Sequence, residues 1–172
     1  MSSIVNVVLY QAGWLACVLG AAHGMPWAGV VAAAAIVAWH LSRAGQPRAE
    51  ARLIAAAIVV GAVFETLLVQ AGWVRYAEGA LVAGTAPVWM VALWAMFATT
   101  LNVSLRPLRT HPWVAAVLGA VGAPLAYYAG ARLGALQLAD FHAGLAAIAI
   151  GWAWLTPLLL ASARRNDGFT RP

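Results

Sequence analysis

The sequence has no lysine, a single cysteine and few charges of either sign, with ten arginines and five acidic residues in 172 positions. Charged residues make up 9% of the chain, well below the roughly 25% of a soluble domain. Because Cys17 is alone, neither an internal disulfide nor a cysteine-based zinc cluster can form. The low charge argues against a soluble globule, and the lack of cysteine pairs excludes a disulfide-rich secreted scaffold.

What the chain does have is apolar residues, at 64% of the sequence with a mean hydropathy of +0.84. Uninterrupted apolar runs of about 20 residues are typical of membrane-spanning helices. The predicted fold is an all-α polytopic membrane protein, a bundle of about six transmembrane helices in one domain over 1–163, followed by a short polar cytoplasmic tail over 164–172. The stretch 80–86 is predicted as a loop or a re-entrant segment. The predicted spans cover residues 4–22, 26–42, 52–73, 87–105, 112–132 and 141–163.

The arginines predict the topology, because cytoplasmic loops carry an excess of basic residues. Six spans place eight arginines on the side of the two termini and two on the other side, which predicts that both termini are cytoplasmic. The bases are scattered between apolar runs, so we expect the lipid bilayer rather than nucleic acid as their counter-charge. The eight are Arg43, Arg48, Arg52, Arg106, Arg109, Arg164, Arg165 and Arg171, and the two are Arg75 and Arg132.

A weak internal symmetry is present. Met25-Pro26-Trp27 and His111-Pro112-Trp113 lie 86 residues apart, half the length of the chain, and each would open the second helix of a three-helix set. Three helices per half would give the two halves opposite orientations, as in inverted-repeat transporters.

Glu65 is the only carboxylate well inside a predicted span. A charged side chain near the bilayer centre costs at least about 2.5–3.5 kcal/mol, so it needs a partner, a proton or a water-lined cavity. Glu65 is therefore either a proton carrier, cation ligand or general acid/base, or a neutral packing residue. Gly61 and Gly72 fall on roughly the same helical face, which would let a neighbouring helix approach closely.

Other polar residues within the spans could line a polar interior around Glu65, or could simply join helices by hydrogen bonds. Arg132 could pair with Asp140 or reach Glu65. His40 is interpreted as an interfacial residue, and no metal-ligand spacing is present, so neither a metal nor a cofactor is predicted. No catalytic residue is assigned. The candidate site residues are Glu65, Asn6, Gln11, Thr99, Asn102, Tyr127 and Arg132.

Three motifs carry a family resemblance: Asn6 with 10–14 (YQAGW), 93–102 (LWAMFATTLN) and 122–130 (GAPLAYYAG). With them the chain resembles an uncharacterised family of small bacterial inner-membrane proteins, domain of unknown function 2878. The resemblance implies a polytopic fold in a Gram-negative inner membrane and brings no established activity or catalytic residue. Members are often encoded near fatty-acid-modifying enzymes, which favours a role with lipid.

The leading functional hypothesis is the binding or transport of a lipid-like or small amphipathic molecule, with protonation of Glu65 as the switch. The alternatives are an intramembrane enzyme or accessory subunit in lipid modification, and a structural partner of a membrane complex. A membrane-protein partner or a homo-oligomer remains open in each case. Transport predicts two halves that superpose as an inverted pair around a midplane cavity. Catalysis predicts two or more titratable groups within hydrogen-bond reach of one another, and a structural role predicts a filled core and an exposed face of small residues.

Overall fold

The computed structural model describes residues 2–169, which form six α-helices and a two-stranded ribbon. The prediction of an all-α chain is confirmed. Met1 and residues 170–172, with Arg171 and the end of the predicted tail, lie outside the described residues. The helices are α1 Ser3–Ala22, α2 Pro26–Arg43, α3 Pro47–Gln70, α4 Val88–Leu101, α5 Pro112–Arg132 and α6 Phe141–Arg165; a 3-10 helix covers Arg106–Thr110, and the strands are β1 Val74–Tyr76 and β2 Leu136–Leu138.

The helix starts follow from local chemistry. Three of them, α2, α3 and α5, open with a proline, whose missing N–H costs nothing in the first turn. Two of the other three, α1 and α6, have side-chain caps: Ser2 Oγ accepts from the Val5 N–H at 3.3 Å, and Asp140 Oδ1 accepts from the Ala143 N–H at 2.9 Å. Helix α4 follows Pro87 and has no side-chain cap.

Four of the six helices in the described chain, α1, α3, α5 and α6, are long and apolar enough to cross a membrane. The predicted fourth span, 87–105, is too long, because α4 has 14 residues and covers about 21 Å. The chain turns after Leu101, where the N–H groups of Val103 and Leu105 both donate to the Thr100 carbonyl. The stretch 80–86 is a loop rather than a helix.

The short helix α4 is the centre of the bundle. Ten of its 14 residues are buried, and it packs against α1, α2, α3 and α6. A helix surrounded by protein need not match the bilayer thickness, because other parts of the chain cover its ends. Here Trp89 Nε1 donates to the Glu78 carbonyl of the preceding loop at 2.9 Å.

The helix pairing does not fit two inverted three-helix halves. In such a repeat the tight α1–α2 pair would recur as α4–α5, and the loose α2–α3 pair as α5–α6. Instead α5 packs most extensively on α6, and α4 packs on the first three helices. The predicted symmetry is therefore wrong at the level of helix packing.

A different local repeat is present at one end of the bundle. Helices α3 and α5 are each followed by a glycine at positive φ, Gly72 at 72° and Gly134 at 90°, and then by a three-residue strand. The strands pair antiparallel with Arg75 opposite Gln137 at the centre, so two equivalent helix–turn–strand units face each other. We call this end of the bundle the ribbon end, and the opposite end, where residues 166–169 lie, the tail end.

Candidate functional site

The Glu65 carboxylate lies at the junction of four elements and is fully buried. Trp94 Nε1 of α4 donates to its Oε1 at 2.8 Å, and the Tyr127 hydroxyl of α5 donates to the same oxygen. The Tyr76 hydroxyl of β1 donates to Oε2. Three donors thus satisfy a carboxylate that burial would otherwise strongly disfavour. Two of the predicted site residues, Glu65 and Tyr127, come together here.

All three donors to Glu65 are neutral, and within residues 2–169 the carboxylate forms no ion pair. Arg132 does not reach it, because that side chain is exposed at the end of α5. The Asp140 carboxylate caps α6 instead. The expected pairing of Arg132 with Asp140 or Glu65 is therefore not formed.

Gly61 creates the space for Trp94. A Cβ at position 61 would overlap the indole ring directly, so only glycine lets Trp94 lie against α3 and reach Glu65 one turn further on. The indole also stacks on Trp152 of α6, with ring centroids 4.6 Å apart. The close approach expected at Gly61 is confirmed, whereas Gly72 lies in the turn after α3 with open space around it.

We expect Gly61→Ala to lower the free energy of unfolding by about 1–3 kcal/mol, because the added methyl group overpacks against Trp94 and moves its N–H from Glu65. Unfolding in mixed detergent micelles measures the effect. The matched control is Gly122→Ala in α5, where a Cβ meets nothing within 4 Å. The control should be neutral or slightly stabilising, because alanine favours a helix over glycine. Equal losses in the two variants would contradict this account of Gly61.

Next to the Glu65 cluster lies a cavity of about 570 Å³. Helices α1 and α5 form its two sides, and α4 and α6 form its floor. We call it the lateral groove, because half-exposed residues of both sides, Val7 and Leu118, stand at its margin. Glu65 is not on its wall, but Tyr127 is. Its aromatic lining comprises Tyr10, Trp14, Trp89, Phe97, Tyr127 and Trp152, and its polar lining includes Gln11, Thr100, Ser104 and Thr156.

Two other predicted site residues tie α1 to α4 away from Glu65. Asn6 is buried, and its Nδ2 donates to the Thr99 carbonyl at 3.2 Å. Its Oδ1 accepts from the Ser104 hydroxyl at 2.6 Å, while the Thr99 hydroxyl donates to the Met96 carbonyl of its own helix. These hydrogen bonds join α1 to α4 or close a turn within α4. They fit the alternative in which the polar residues join helices rather than line a polar interior around Glu65. Gln11 remains on the groove wall.

Asn102 belongs to a second buried cluster, at the tail end. Its Nδ2 donates to Glu50 Oε1 at 2.5 Å, and His40 Nε2 lies 2.8 Å from Glu50 Oε2. The Gly168 N–H also donates to Glu50 Oε1, at 2.8 Å. His40, Glu50 and Asn102 are each at most 1% exposed.

Sequence reasoning missed this second cluster. It interpreted His40 as an interfacial residue and grouped Asn102 with Glu65. The available signal was the scarcity of acidic residues, since only five are present and Glu50 opens an apolar helix.

Four helices long and apolar enough to cross a membrane, together with a buried and hydrogen-bonded carboxylate inside the bundle, define the class of protein, a membrane-embedded α-helical bundle. A family model described as "Protein of unknown function (DUF2878)" matches residues 3–158. The chain belongs to this family, as the sequence motifs predicted. It matches no curated protein and no solved structure.

Proposed function

We propose that the protein spans a bacterial inner membrane six times, with both termini in the cytoplasm, and binds the hydrocarbon chain of a lipid-like molecule in the lateral groove. The observation that carries the proposal is the groove itself, an unfilled cavity of about 570 Å³ with a mostly apolar and aromatic lining. Ligand sites for apolar molecules have volumes of about 300–1,000 Å³ and a few polar groups on their walls.

The position of the groove suits a ligand that enters from the bilayer. Its sides carry exposed apolar residues, with Val7 at 47% and Leu118 at 46% exposure, so the cavity opens where lipid would surround the bundle. A chain could move sideways into the groove without crossing a polar surface. The aromatic floor then offers flat apolar area, while Thr156 Oγ1, buried and without a partner among residues 2–169, offers a polar group.

In this proposal Glu65 is a positioning residue rather than a direct ligand. Its Oε1 fixes the Tyr127 hydroxyl and the Trp94 N–H, and those two rings support the groove: Tyr127 lines it, and Trp94 stacks on the lining residue Trp152. A proton on Oε1 would compete with these donors and release one of them. Protonation of Glu65 would thus change the groove wall, which supplies a switch for binding and release.

The geometry favours binding over the two alternatives. Acid–base chemistry is supported by the contact of Glu65 with two tyrosines, but Glu65 is sealed from the groove and only Tyr127 could touch a substrate. A structural role calls for a filled interior, and the groove is not filled.

Gly122→Phe tests the proposal, because residue 122 lines the groove and a side chain there meets open space. The protein is placed in nanodiscs with a phosphatidylcholine that carries a diazirine in one palmitoyl chain. In the wild type we expect photo-crosslinks on Leu93 and Phe97, which lie inside the groove. Blocking the groove should lower crosslinking at these positions about tenfold, the equivalent of about 1.4 kcal/mol.

The matched control for the groove is Val121→Phe. Val121 is the neighbouring residue of α5, is 55% exposed and is not part of the groove wall. The control should keep the crosslinks at Leu93 and Phe97. Crosslinks spread evenly over the lipid-facing surface of the wild type, with none at these two residues, would refute binding in the groove.

A further inference from the structure

A second, smaller cavity lies at the tail end, on the side of the 3-10 helix. Its volume is about 280 Å³, and it shares no residue with the lateral groove. Apolar residues, mostly of the 3-10 helix and α6, form most of its lining, and the same two elements also contribute two arginines. The lining consists of Leu108, Arg109, Thr110, Pro112, Pro157, Leu160, Ala161 and Arg164.

The charge around this cavity is unbalanced. Four arginines, at positions 106, 109, 164 and 165, and one acidic residue, Asp167, lie in the 3-10 helix and in the segment 164–167. Arg109 Nη1 lies 2.8 Å and Arg106 Nη2 3.0 Å from Asp167 Oδ2. Arg164 and Arg165 are exposed and pair with no carboxylate among residues 2–169. The tail end therefore keeps a net positive charge next to this cavity.

Asp167 stays ionised and so neutralises one of these charges. Burial alone would raise the pKa of its carboxyl, but the hydrogen bond from Arg109, the bond from the Phe169 backbone N–H and the charges of Arg109 and Arg106 hold that pKa below its usual value. With Asp167 negative, these four arginines and one carboxylate leave a net charge of +3 among the described residues of this segment, and two of the arginines, Arg109 and Arg164, line the cavity.

Arg109 is held ready for a further acceptor. Its side chain is only 10% exposed, and its Nη2 donates to the Ala163 carbonyl at 3.4 Å. Its Nε is buried and has no partner within the described part of the chain. A guanidinium has five N–H donors, and its fork geometry matches phosphate oxygens.

We propose that this cavity binds the phosphodiester headgroup of an anionic phospholipid, with Arg109 and Arg164 as its counter-charges. The apolar wall of Leu108, Pro157 and Leu160 would then contact the glycerol and the upper part of an acyl chain. That wall favours a lipid over free phosphate, which has no apolar part to bury. Basic pockets between helices at the end of a bundle are typical of anionic headgroup sites.

The test uses the full chain in detergent micelles and measures affinity for three probes by native mass spectrometry and by the rise in unfolding temperature. The probes are dioleoyl phosphatidylglycerol, dioleoyl phosphatidylcholine and inorganic phosphate. We expect phosphatidylglycerol to bind more tightly than phosphatidylcholine. Arg164→Gln should weaken phosphatidylglycerol binding about fivefold, which is close to the loss in affinity expected when one arginine no longer contacts an anionic headgroup. Because Arg164 is exposed, this variant should fold normally, which its unfolding temperature without lipid checks.

Arg132→Gln is the matched control, since it removes one exposed arginine at the ribbon end. It should bind phosphatidylglycerol as the wild type does. Equal affinity for the two lipids, or an equal loss in Arg132→Gln and Arg164→Gln, would overturn the proposal. Full competition by inorganic phosphate at the same concentration would overturn the assignment to a lipid. The lateral groove has no arginine on its wall and would accept the chains of either lipid, so the difference in affinity between the two lipids, and its loss in Arg164→Gln, report on the tail-end cavity rather than on the groove.

Discussion

Glu65→Leu is expected to lower the free energy of unfolding by at least about 3 kcal/mol. The substitution leaves the Tyr76 hydroxyl, the Tyr127 hydroxyl and the Trp94 N–H without their acceptor. Each buried donor that loses its partner costs roughly 1–3 kcal/mol, and these three share one site. Unfolding in mixed detergent micelles measures the loss.

Two further variants make this test specific to the carboxylate. Glu65→Gln keeps one oxygen acceptor of the same shape, so we expect a smaller loss than with leucine. Glu78→Leu removes an exposed glutamate of the loop after β1 and should change stability by no more than about 0.5 kcal/mol. If Glu65→Leu is as stable as the wild type, the hydrogen-bonded network does not hold the four elements together.

Glu50→Leu should destabilise the protein by about 3–5 kcal/mol, the usual cost of breaking a buried pair of this kind. The change leaves His40 Nε2, Asn102 Nδ2 and the Gly168 N–H without the oxygen atoms that they contact. It also acts on the chain beyond α6, because the Gly168 carbonyl accepts from the Gln46 N–H at 3.0 Å and the Phe169 ring lies 5.1 Å from that of His40.

A second readout separates the tail from the rest of the cluster. Release of residues 166–169 should increase tryptic cleavage after Arg164 and Arg165 about tenfold, because cleavage requires local opening of the helix end. Glu50→Gln, which keeps acceptors for Asn102 and Gly168, should cleave more slowly than Glu50→Leu. If stability falls while cleavage stays constant, the Asp167 contacts with Arg106 and Arg109 hold the tail, and Glu50 does not.

The length and the surroundings of the central helix α4 could not be predicted from the sequence. The apolar run 87–105 looks like any other span, yet α4 stops at Leu101 and is covered on most sides by protein. Lipid tails and neighbouring helices are equally apolar, so composition does not distinguish a helix that faces lipid from one that faces other helices. The end of α4 at Leu101 therefore became evident only in the three-dimensional structure.

For the polar candidate residues, the sequence indicated the position of Glu65 but not the residues that it contacts. The cost of a carboxylate in an apolar segment marked Glu65 without any structure. Its partners could not be read from the chain, because Tyr76, Trp94 and Tyr127 lie 11, 29 and 62 residues away in three different elements. Asn102 was recognised as polar but was assigned to the wrong partner, since depth in a helix does not say which neighbour is opposite.

The sequence by itself determined that this is an apolar, all-α protein of its family, that helices begin at Pro26 and Pro112 and that Glu65 needs a partner. These properties depend on composition and on local backbone chemistry, which each segment carries by itself. The tertiary structure alone decided that Glu65 accepts from three neutral donors, that Glu50 joins His40, Asn102 and the tail, and that a groove stays open beside Tyr127. Hydrogen-bond partners and cavities are properties of helices brought together, and the chain sets them only through packing between residues that are far apart in sequence.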